Sequence, residues 1–193
     1  AKGGGDHHNN FPYGSCKGPQ QFDHNQRNTG CGWISNKDVS PAPMYYISPN
    51  SILAGHNLLG LNISKANLKF ANLSNTNLSY ANLNNANLSN AILTDANLTN
   101  TILTGANLSG ASLQYGDLSG YNLTGADFSA SGLQFTNLSK ANLTGTNLSG
   151  AILYGTILTG ANLTGANVTG TNGYSSTTCP NGINWGTAGN DCP

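Results

Sequence analysis

Residues 71–90 read ANLSNTNLSYANLNNANLSN, and this stretch decides the fold. Leu73, Leu78, Leu83 and Leu88 stand five residues apart, and each follows a small residue by two: Ala71, Thr76, Ala81 and Ala86. Counting in fives from Leu58 to Val168 meets a bulky apolar residue at all 23 positions: 20 Leu, Ile63, Phe128 and Val168. Leu53 extends the register back by one step. The slot two residues earlier holds 13 Ala and 5 Thr, with His56, Leu61, Gly116, Tyr121 and Ser131 as exceptions. A period of five is neither the 3.6 of a helix nor the 2 of a strand. In a short extended segment, however, residues i−2 and i share one face and i−1 points to the other. Ala and Leu are therefore expected inside and the intervening Asn outside. The two remaining residues turn the chain, which suits Gly at 105, 110, 120, 125 and 145–170 in steps of five. Tyr121 is too large for its slot and reads as a local bulge.

Units such as Ala71-Asn72-Leu73-Ser74-Asn75 and Ala161-Asn162-Leu163-Thr164-Gly165 resemble the A(D/N)LXX repeats of the pentapeptide-repeat family. The resemblance covers residues 51–170. It implies an all-β fold, a right-handed quadrilateral parallel β-helix with four pentapeptides to each square coil. Irregular extensions flank it at 1–50 and 171–193. The sequence supports a twenty-residue super-period independently: Ser112-Leu113-Gln114-Tyr115 returns as Gly132-Leu133-Gln134-Phe135, with Tyr154 after it. About six coils at a strand spacing of about 4.8 Å make a rod about 28 Å long, its ladder left open at both ends.

Composition narrows the function. The 193 residues carry 7 Lys+Arg, 7 Asp and no Glu, beside 30 Asn and 25 Gly. Charged residues are 7% of the chain, against about a quarter in ordinary domains. Zero net charge argues against disorder, and there is no basic stripe for nucleic acid. No apolar run approaches the ~20 residues of a membrane span. The family includes acidic, DNA-mimicking rods that bind type II topoisomerase. Here Asn stands where those rods place Asp, so the electrostatic basis for that activity is missing. No catalytic constellation is visible: the repeat region's carboxylates are Asp95, Asp117 and Asp127, separated around the rod. No enzyme activity, cofactor or metal is expected. Asp6, His7, His8, Asp23 and His24 lack ligand spacing, and His56 reads as part of a cap.

All 23 Leu lie between Leu53 and Leu163, so the ends are built differently. Cys16 and Cys31 fall before the repeat, Cys179 and Cys192 after it. Of three possible pairings, the local ones, 16–31 and 179–192, close the shortest loops. Paired cysteines and a start at Ala1 suggest a mature secreted protein, extracellular or on the cell surface. The 12 Asn-x-Ser/Thr sequons would be densely glycosylated in a eukaryotic secretory pathway, which favours a bacterial source.

Two surfaces stand out. Gln114, Tyr115, Gln134, Phe135 and Tyr154 fall in one column, a candidate contact surface or a self-stacked one. Thr104, Thr124, Thr144 and Thr164 fall in another, a candidate face for ice or glycan. The expected function is an extracellular structural protein that assembles head to tail with itself into a filament or surface layer. Residues 1–50, Leu53–Leu61 and Val168–Thr171 would supply the contacts. The alternative is a monomeric module binding ice or glycan through the Asn/Thr face.

Overall fold

A computed structural model describes residues 32–35, 44–185 and 192. Cys16, Cys31 and the Asp6, His7, His8, Asp23 and His24 group lie outside the described residues. Strands β1 (Gly32–Ser35) and β2 (Met44–Ile47) form an antiparallel pair, with Gly32 opposite Ile47 and Ser35 opposite Met44. From Ile52 onward the chain winds into square coils. Outside the Tyr121 region, outward residues make parallel bridges to the residue twenty positions on, as Ile52 with Asn72, Asn57 with Asn77, Asn62 with Asn82 and Asn67 with Asn87. Those four bridges define the four sides.

The corners explain the period of five. After each inward Leu the chain turns, and the next inward small residue donates its amide to the Leu carbonyl. Ala71 reaches Leu68 at 2.9 Å and Ala81 reaches Leu78 at 2.9 Å. The second corner residue has positive φ, as in type II turns: 60° at Lys65, 55° at Asn75, 65° at Gly105. The glycines were therefore placed well, yet Lys65, Phe70, Tyr80, Tyr115, Ala130, Phe135 and Lys140 adopt the same conformation. The ladder imposes it whatever the side chain. An L-residue there costs roughly 1–2 kcal/mol, while glycine loses roughly 0.5–1 in chain entropy. Ala130→Gly should accordingly stabilise the rod by up to about 1 kcal/mol, read as a higher urea midpoint. A lower midpoint would show that the corner is unstrained.

The outward Asn do more than cover the surface. Asn72 Oδ1 accepts the Ser74 amide at 3.1 Å, and Asn77 Oδ1 accepts that of Ser79 at 3.1 Å. Where Asn or Asp holds the outward position, this side-chain turn pre-forms the corner, which a Gln or Ser of different reach would not do as well. Asn also ladders between coils, with Asn77 Nδ2 donating to Asn57 Oδ1 at 3.1 Å. Inward Thr residues add a second tie. Thr76, Thr101 and Thr136 donate to the carbonyls of Leu53, Leu78 and Leu113, each one coil back, at 2.8, 2.7 and 2.9 Å. The Leu and Ala columns are buried along almost the whole bore.

The C-terminal end is less open than the repeat alone predicts. Cys179, Trp185 and Cys192 belong to the buried core, and the tail adds a strand of ladder on one side. Leu158 donates its amide to Thr178 O at 2.8 Å and Gly160 to Pro180 O at 2.7 Å. The physical reason is that Leu158 and Leu163 would otherwise face water at the end of the bore. At the other end, fully buried Ile47 joins the same core.

Candidate functional site: the outer columns, the open edge and the Tyr121 seam

Cys179 and Cys192 form a disulfide with Cα atoms 5.5 Å apart. It ties down the tail segment that plugs the bore.

The Thr column is occupied with the rod's own asparagines. Thr124, Thr144 and Thr164 donate their hydroxyls to Asn122, Asn142 and Asn162 Oδ1 at 2.7, 2.6 and 2.6 Å. Thr104 follows Ile102 rather than Asn, and reaches the Asn122 carbonyl at 3.4 Å instead. The Thr124, Thr144 and Thr164 hydroxyl protons are therefore used within the face, and Asn162 Nδ2 donates in turn to Thr144 Oγ1 at 3.2 Å.

The aromatic column packs on itself. Tyr115 and Phe135 stack with centroids 5.2 Å apart and planes 6° apart, and Tyr154 meets Phe135 edge-on at 5.4 Å. Two glycines make room for it. A Cβ at Gly155 would meet Phe135 Cδ1 at 2.5 Å, and one at Gly132 would meet Gln114 Nε2 at 2.4 Å. Gln134 Oε1 is buried there without a hydrogen-bond partner. Tyr115 remains 70% exposed, so self-stacking leaves part of the patch bare.

Among the described residues, the C-terminal ladder edge is unpaired on two sides. The amides of Leu163, Gly165, Val168 and Gly170 point along the axis, and none has a backbone partner among the described residues. Their equivalents one coil earlier all do: Leu143 reaches Asn162 O at 2.8 Å and Leu148 reaches Asn167 O at 2.7 Å.

Tyr121 interrupts the ladder instead of bulging it. The count of five runs through it unchanged, so no residue is inserted. The bridges expected between Asn97 and Asp117 and between Ile102 and Asn122 are absent. The amides of Asp95, Leu98, Asn100 and Leu103 on one lip, and of Asp117 and Asn122 on the other, lack their ladder partners. Ladder bonds resume immediately on either side. The phenol cannot fit the slot that Ala81, Thr101 and Ala141 fill in neighbouring coils, so it wedges between two coils and donates to Leu98 O. Burial pushes the Tyr121 hydroxyl above its ordinary value near 10, opposed by hydrogen bonds to the backbone of Thr101 and Asn100. A raised folded-state value means the stabilisation is complete below about pH 10 and is lost as pH rises through the folded value. Absorbance titration at 295 nm should show a late-ionising tyrosine, and Tyr121→Phe should remove that late step. A titration unchanged by Tyr121→Phe would contradict this placement.

The family model described as pentapeptide repeats matches in 8 copies, over residues 50–79, 57–95, 71–110, 91–129 and 136–172. The chain belongs to the pentapeptide-repeat family, and its fold is the right-handed quadrilateral β-helix. HetL of the cyanobacterium Nostoc sp. strain PCC 7120, a protein involved in heterocyst differentiation regulation, is 25% identical. The match covers 72% of this chain and 91% of HetL, with a TM-score of 0.31. A pentapeptide-repeat protein of the Arabidopsis thaliana thylakoid lumen is 28% identical over 62% of this chain and 66% of its own, TM-score 0.23. A trypsin-treated form of QnrB1, a plasmid-mediated fluoroquinolone resistance protein, is 19% identical over 70% and 79%, TM-score 0.37. A comparison with curated protein sequences finds no match.

Proposed function

We propose that this protein is a non-catalytic, extracellular structural subunit, of bacterial origin, that associates end to end with copies of itself. The observation that carries the reading is the free ladder edge at Leu163, Gly165, Val168 and Gly170. Unpaired strand edges recruit further strands unless charge, proline or a covering element blocks them. Here the flanking residues Asn162, Thr164, Asn167 and Thr169 are neutral, and no described residue covers the edge. A head-to-tail contact of this kind does not close, so repetition gives a filament. The buried disulfide at the same end suits an oxidising compartment.

Val168→Pro tests the proposal. The Val168 amide has no backbone partner among the described residues, so proline removes a donor left for a neighbour, and its ring blocks the approach. Light scattering and negative-stain microscopy should show concentration-dependent rods for the native chain and short single rods for the variant, with unchanged circular dichroism. Native protein that stays monomeric at every concentration would sink the reading.

A further inference from the structure

We propose that the Tyr121 seam is a built-in joint, dividing the rod into two cooperative units hinged along one corner. Two adjoining sides are parted, those of Asn97/Asp117 and Ile102/Asn122, and the other two stay paired. On the paired sides, Leu88 donates to Asn107 O at 2.7 Å, Asn90 to Ser109 O at 2.8 Å and Leu93 to Ser112 O at 2.9 Å. The parted sides meet at the corner of Thr99 and Asn100, and the paired sides at that of Ser109 and Gly110. In a square coil these corners are diagonal. The gap therefore opens at one corner and pivots on the opposite one, as a clamshell does.

A solenoid's stability is a sum of terms between neighbouring coils, so the weakest interface sets where it divides. Every other interface from Ser51 to Asn172 keeps its full ladder. The wedge is also held in place. Tyr121 donates to Leu98 O, the carbonyl that also accepts the Thr101 amide, so the phenol has a partner inside the gap and no incentive to swing out. Residues 52–103 then behave as one unit and 106–172 as the other, with bending and local opening concentrated between them. The joint stands independently of the assembly reading.

Hydrogen exchange on the full chain tests it. The amides of Leu98, Leu103, Asp117 and Asn122 should exchange roughly 100-fold faster than Leu78, Leu83, Asn137 and Asn142, their equivalents one coil away. Tyr121→Thr supplies the side chain that ties neighbouring coils elsewhere, with a hydroxyl able to reach Leu98 O as Thr101 reaches Leu78 O. It should bring the four seam amides to within about tenfold of those equivalents. Equal protection in the native chain would overturn the joint. So would seam amides that stay fast in a folded Tyr121→Thr variant. If that variant fails to fold, the native comparison decides alone.

Discussion

Phe128→Ala should destabilise the rod by about 3–5 kcal/mol, among the largest effects of any single truncation in the core. Phe128 is fully buried and heads the largest buried side chains. It interrupts a Leu column, with Leu108 one coil before it and Leu148 one coil after. Its backbone is pinned on both sides of the side chain. The Phe128 amide donates to Asn147 O at 2.7 Å, and its carbonyl accepts the Ser131 amide at 3.1 Å and the Ser131 hydroxyl at 2.7 Å. A closed square held by ladder bonds above and below has little freedom to collapse into the void, which places the cost towards the upper end of the range. Phe128→Leu restores the usual occupant of the column and should cost less than about 1.5 kcal/mol. Urea unfolding followed by circular dichroism measures both. A loss below about 1 kcal/mol for the alanine variant would mean that the coil can contract, contrary to the rigid-ladder picture.

The inward columns were legible in the sequence because their signal repeats at each of 23 positions, from Leu58 to Val168. The corners were legible only where glycine marks them. Phe70, Tyr80 and Phe135 take the same left-handed conformation because the coils above and below fix the backbone, and no local preference records that. Tyr121 was visible as a misfit, but its consequence depended on whether the chain inserts a residue or parts the ladder. That choice rests on the Leu98 carbonyl, 23 residues away. The plug formed by Cys179, Trp185 and Cys192 was hidden for a similar reason. A Gly- and Asn-rich tail carries no periodicity, and its ladder with Leu158 and Gly160 follows the geometry of the last coil. The Thr column is the opposite case. Its regularity was plain, whereas the bonds of its hydroxyls to Asn122, Asn142 and Asn162 Oδ1 appear only in the folded coil.

Cys192→Ser should cost about 3 kcal/mol, because the Cys179–Cys192 bridge spans a sequence separation of 13 residues and its removal frees the loop it closes in the unfolded chain. Among the described residues, Cys179 donates to Ile183 O at 2.9 Å, Gly182 donates to Cys179 O at 2.8 Å, and Trp185 donates to Thr177 O at 2.8 Å. Once the loop is free, Trp185 leaves the bore and the Thr178 and Pro180 carbonyls release Leu158 and Gly160. In a Trp33→Phe background, Trp185 fluorescence should shift to the red at lower urea than the loss of circular dichroism. Coincident transitions would show that the tail is part of the main cooperative unit. The same variant separates edge from plug in assembly. Freeing Leu158 and Gly160 lengthens the unpaired C-terminal edge from two sides to three, so end-to-end association should rise where Val168→Pro makes it fall. A drop in association for Cys192→Ser would instead mean that the disulfide loop, and not the bare ladder, is the surface that a neighbouring copy meets.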